Sequence, residues 1–104
     1  MMLWLHYFRP RPGWYDLSAV ERERHEAGWR AAAHEACLSP EIEYLGEYSV
    51  RGQSTQERVQ VWRFADAERI ESFWAGLLEM GYADWRVSDN VVGVPEIPFT
   101  GASG

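Results

Sequence analysis

The chain has 104 residues, a net charge of −6, and six Trp, five Tyr and four Phe. That length bounds it to one domain with one modest core, and the acidic balance argues against nucleic acid as a partner, because phosphate neutralisation needs a basic face. So many large rings exceed what a small core easily hides, so some are expected at a shared interface or in a ligand cavity.

Met2 to Arg9 reads as a strand that is apolar on both sides, with Leu3, Leu5 and Tyr7 on one face and Trp4, His6 and Phe8 on the other. Pro10, Arg11, Pro12 and Gly13 break it into a loop. Ser18 and Glu21 make a capping box that opens a helix from about Ala19 to Cys37. At 100° per residue, Val20, Ala27, Ala31 and Leu38 form its inner stripe. Trp29, Ala32 and Ala36 lie opposite and predict a contact outside the local core. Glu41 to Arg51 alternates as a strand, with Gly46 a candidate bulge. Gly52 to Thr55 is turn chemistry, and Glu57 to Phe64 is the next strand, placing Val59 and Val61 against Arg58, Gln60, Trp62 and Phe64. Asp66 caps a second helix, Ala67 to Met80, with Ile70, Phe73, Trp74, Leu77 and Leu78 as its apolar stripe and Gly81 at its C-terminal cap. Residues 82–90 have no clear pattern, and Val91 to Val94 reads as a short last strand. The domain is expected to span 1–99, with 100–104 a loose tail.

The element order β-α-β-β-α-β is that of a ferredoxin-like α+β fold: a four-stranded antiparallel sheet with two helices on one face. The uncovered face is expected to carry Trp4, His6, Phe8, Trp62 and Phe64. Such a ring patch is costly in water, so a second copy is expected to cap it, giving a homodimer.

With that order, and with Val59-Gln60-Val61-Trp62-Arg63-Phe64-Ala65-Asp66 running into Phe73-Trp74, the chain resembles the dimeric α/β-barrel superfamily. That superfamily includes the antibiotic-biosynthesis monooxygenase, EthD-like and NIPSNAP-like families. The resemblance implies one ligand cavity per subunit, between sheet and helices. Its members include cofactor-free oxygenases, cyclases, isomerases and haem proteins, as well as proteins without known activity. No full catalytic motif of any of them is present here.

His6, between two rings, is the candidate base, since an apolar cleft lowers an imidazole's pKa. The alternative is a core histidine satisfied by a neighbour. Arg58 is the candidate partner for a carboxylate or enolate. Trp4, Tyr44, Tyr48, Gln60 and Trp62 are the candidate substrate-binding residues, with Trp62 as a stacking platform. No metal site is expected. His25-Glu26 and His34-Glu35 each lack the second histidine of H-E-x-x-H, Trp29 and Leu38 standing in its place. His25 is expected to pair with Glu21. Asp84, Trp85, Arg86 and Asp89 read as a turn or a rim.

Cys37 is the single cysteine, so no internal disulfide forms, and a reducing cytoplasm is the expected location. The N-terminal run has no signal-peptide features, and no window approaches a membrane span, so no membrane partner is expected. The function these features imply is a small-molecule enzyme of the cofactor-independent cyclase, isomerase or monooxygenase type, acting on a flat, apolar, oxygenated substrate. The alternatives are a non-catalytic dimeric binding or assembly protein and a haem-handling protein. No cofactor is expected under the first reading, while haem stays open because one axial histidine would suffice.

Overall fold

The computed structural model describes residues 1–52 and 54–96. The predicted tail, 100–104, lies outside them. Four strands, β1 (Met2–Pro10), β2 (Ile42–Ser49), β3 (Arg58–Phe64) and β4 (Arg86–Gly93), form one sheet in the order β2-β3-β1-β4. Every neighbouring pair is antiparallel. The helices α1 (Ala19–Ala36) and α2 (Ala67–Glu79) connect β1 to β2 and β3 to β4, and a short helical turn, α3 (Tyr82–Trp85), leads into β4. This is the ferredoxin-like α+β architecture.

Local chemistry explains the boundaries. The Ser18 hydroxyl accepts from the Glu21 amide at 3.1 Å and the Asp66 carboxylate from the Arg69 amide at 2.9 Å, so each helix opens on an oxygen that satisfies a free N–H. Gly81 closes α2 in the left-handed region at φ 78°, which favours glycine. The segment without a clear pattern, 82–90, resolves into α3 and the first half of β4. That strand begins at Arg86 rather than Val91.

The ring-bearing face is the reverse of the one expected. Trp4, His6, Phe8, Trp62 and Phe64 are each at most 2% exposed, and they lie beneath the helices. The Trp4 ring meets Phe73 and Trp74 of α2 edge-on at 5.8 and 6.1 Å. The bare face instead carries Leu3, Leu5 and Tyr7 of β1 with Val61 of β3, and Val59 lies buried among them at 7% exposure. Alternation fixes which side chains share a face but not which face the helices cover.

Helix α1 is likewise turned over. Val20 and Leu38 are 68% and 72% exposed, whereas Trp29 is buried and Ala32 and Ala33 pack against the core. The sheet's rings are covered by α2, whose Phe73 and Trp74 pack on Trp4, while α1 turns small residues inward. Trp29 belongs to the local core itself: its ring stacks on Trp14 at 5.5 Å and meets Tyr82 edge-on at 4.9 Å.

Among the described residues, no helix is long and apolar enough to cross a membrane.

Candidate functional site

A cleft of about 980 Å³ opens between α1 and the β2–β3 half of the sheet. Its floor is Tyr44, Glu47, Arg58, Gln60 and Trp62; its roof is Trp29, Ala33, His34 and Cys37 of α1; Phe8, Tyr82 and Arg86 close one end. It exists because α1 presents alanines to the sheet where α2 presents Phe73 and Trp74.

The polar floor depends on one glycine. The β2–β3 register slips between Tyr44 and Gly46, and Gly46 takes φ 128°, which L side chains rarely adopt. Beyond the bulge the parity of β2 inverts. Glu47 now lies opposite Gln60, on the cleft side, while Tyr48 lies opposite Val59 on the bare face and is 55% exposed. Gln60 Nε2 donates to Glu47 Oε1 at 3.1 Å, Arg58 Nη1 donates to Glu47 Oε2 at 3.2 Å, and Trp62 Nε1 donates to Gln60 Oε1 at 3.2 Å. Tyr44 stacks obliquely on Trp62 at 4.7 Å. Burial, then the neighbouring Glu47 carboxylate, push the Tyr44 phenol above its ordinary pKa.

Behind the closed end runs a directional chain of hydrogen bonds. Asn90 Oδ1 lies 2.7 Å from His6 Nδ1. A carbonyl oxygen only accepts, so Nδ1 carries the proton, and the bare Nε2 accepts from the Tyr82 hydroxyl at 2.6 Å. The Tyr82 oxygen in turn accepts from Arg86 Nη1 at 2.9 Å. Burial pushes His6 from 6.5 down to about 4, and the Asn90 bond opposes this only in part. Burial also raises the Tyr82 phenol. Both groups are therefore neutral near pH 7.

The sequence-predicted residues separate accordingly. Tyr44, Arg58, Gln60 and Trp62 meet in the cleft. Three do not. His6 is fully buried behind Tyr82, with both ring nitrogens occupied, and touches no cleft surface. Trp4 is 1% exposed and backs Trp62 at 5.9 Å from beneath. Tyr48 is carried to the other face by the bulge.

Glu47, Tyr82 and Arg86 went unassigned as site residues in the sequence. A one-residue slip at Gly46 would have placed Glu47 beside Gln60; Arg86 stood in the cluster read as a turn or a rim, and nothing local marks Tyr82. His25, expected to pair with Glu21, instead sits among the rings of Trp14, Trp29 and Trp85, 5.2 Å from Trp85. Cys37 is half-buried at the end of α1, on the cleft wall. Among the described residues, no three His, Cys, Asp or Glu side chains gather as a metal set.

No protein-family model matches the chain, and no curated protein matches it. Solved structures do. Chlorite dismutase from Candidatus Nitrospira defluvii in complex with imidazole superposes with a TM-score of 0.78 at 16% identity, over 99% of this chain and 43% of that one. A tryptophan variant of the same enzyme in complex with cyanide gives 0.77 at 16% identity, over 98% and 42%. An arginine-to-alanine variant gives 0.76 at 17% identity, over 93% and 40%. The chain thus spans about two fifths of the length of the chlorite dismutase chains it matches, and what it shares with them is the ferredoxin-like fold.

Proposed function

We propose that this chain is a small-molecule-binding protein that works as a homodimer, its cleft taking one flat, largely apolar molecule. The cleft carries the reading: about 980 Å³, walled by rings on floor and roof, within the ~300–1,000 Å³ typical of sites for drug-sized ligands. Haem is the first candidate. The superfamily the sequence resembles includes haem proteins, and the solved neighbours take cyanide and imidazole, both donors that bind a transition-metal ion.

The residues present suit that group. His34 on the roof would hold the iron through its imidazole, with Cys37 on the same wall. His6 cannot, because both its nitrogens are engaged. Bound there, haem would supply iron chemistry; the chain's own part would be to hold the ring between floor and roof.

Titrating the protein with haemin tests this. A saturable Soret band at one equivalent, weakened about tenfold or more in affinity by His34→Ala, is the expected result. No spectral change, together with no quenching of tryptophan fluorescence by haemin or by 2-naphthamide, overturns the reading.

A second reading, proton transfer on an oxygenated substrate, is favoured by Tyr82, which lines the cleft and donates a hydrogen bond to His6. In it His6 acts only through Tyr82, and Arg58 steadies a developing oxyanion.

The homodimer is supported by the bare sheet face. Val61, Leu5 and Val91 lie side by side across β3, β1 and β4, and Leu3 and Val91 are 39% and 48% exposed. A row of branched side chains across three strands is what a second sheet would cover. Light scattering at micromolar concentration is expected to report a dimer, and Leu5→Glu a monomer with unchanged circular dichroism. A monomeric wild type would sink this part of the proposal.

A further inference from the structure

Arg86 is a cation in the cleft wall with no carboxylate of its own. Among the described residues the ion pairs are made by Arg30, Arg58, Arg63 and Arg69, and the one side-chain hydrogen bond of Arg86 goes to the neutral Tyr82 oxygen. Its guanidinium lies 4.1 Å over the Phe8 ring and 4.5 Å over the Trp29 ring. Ring faces offset part of the cost of drawing a cation out of water, but they leave its other N–H donors unused.

The group is also held firmly. Each bond of the chain Arg86 to Tyr82 to His6 to Asn90 points its donor inward. The Tyr82 proton is committed to His6, so the Tyr82 oxygen turns a lone pair to Arg86. Neutral His6 is thus a positioning residue for the guanidinium. A charged fork, stacked between rings, tethered at one nitrogen and lining a cavity, is the arrangement that receives a planar anion.

We infer that Arg86 is an anion anchor, and that the ligand of the cleft is a flat ring system bearing a carboxylate or comparable oxyanion, clasped by Arg86 while its body lies along the sheet floor against Tyr44. This rests on the ligand-binding reading above and narrows it to a charge class. Either an aryl acid or the propionate of a porphyrin has the required chemistry.

The test compares matched acids and neutral counterparts on the wild-type protein: 2-naphthoate against 2-naphthamide, and haemin against its dimethyl ester, with affinities read by tryptophan quenching. The acid of at least one pair is expected to bind about tenfold or more tightly than its counterpart, the size of one charge-assisted contact. Whichever pair shows the preference identifies the source of the carboxylate. Arg86→Met is expected to abolish that preference and leave the neutral compound within about twofold. Tyr82→Phe, which frees the guanidinium without removing its charge, is expected to reduce the preference in part, by about threefold. If the neutral compounds bind and neither acid is preferred, the cleft reading stands and the anchor is refuted; the wild-type comparison decides this even if Arg86→Met does not fold. If no compound binds, the cleft reading falls and takes the anchor with it.

Discussion

Trp4→Ala is expected to cost about 3–5 kcal/mol, the range for removing a large ring from a closed core. The Trp4 ring is 1% exposed and lies within about 6 Å of His6, Trp62, Phe64, Phe73 and Trp74. It touches both central strands and α2, so its loss opens a cavity that rigid neighbours cannot collapse. A domain of this size holds only about 5–15 kcal/mol in total, so the variant should unfold at a much lower urea concentration. The loss should not depend on protein concentration, because the ring is sheltered within one copy. A variant that unfolds like the wild type but no longer dimerises would show that the rings serve the interface after all.

Acid is expected to destabilise the protein through His6. Its folded-state pKa, about 4, lies below the unfolded value of 6.5. Above pH 6.5 both states hold the imidazole neutral, and the group imposes no penalty. As the pH falls from 6.5 toward 4, the unfolded chain takes up a proton that the folded chain refuses, so stability drops across that window and levels off below it. The full drop is about 3 kcal/mol, from 1.36 kcal/mol for each pH unit between the two values. His6 is fully buried, so solvent screening does not reduce this. Other groups titrate in the same window, which makes the comparison with His6→Gln the decisive measurement. That variant starts from lower stability, having lost the bonds to Asn90 and Tyr82. Its stability-against-pH curve between 7 and 4 should nevertheless be flatter by about the amount given above. Parallel curves for the two proteins would show that folding leaves the His6 pKa where it is in the unfolded chain, and the account of a desolvated, fully enclosed His6 would fall.

The two predictions share a cause. The face that holds Trp4 and His6 is dry, so one residue contributes packing and the other is kept uncharged. The same dryness bears on the candidate site. A fully buried His6 cannot exchange protons directly with a ligand, and any role it has runs through Tyr82.

The sequence by itself determined the order of the main elements, though not α3 or the start of β4. The capping oxygens of Ser18 and Asp66, the glycine at 81 and the alternation in β1 and β3 act locally, over one to four residues, so they are visible in one dimension. From these came the β-α-β-β-α-β order and the ferredoxin-like sheet, and with them the shared side of Arg58, Gln60 and Trp62. Only the tertiary structure decided which side of the sheet faces the helices. Both faces of β1 are apolar, so hydrophobicity could not choose between them; the packing of Trp4 and Trp62 against Phe73 and Trp74 of α2 did. The parity beyond Gly46 was also decided in three dimensions, because a bulge exists only against a paired strand, and it exchanged Tyr48 for Glu47 in the cleft. The meeting of His6, Tyr82, Arg86 and Asn90 joins residues up to 84 positions apart, a distance over which no spacing rule operates.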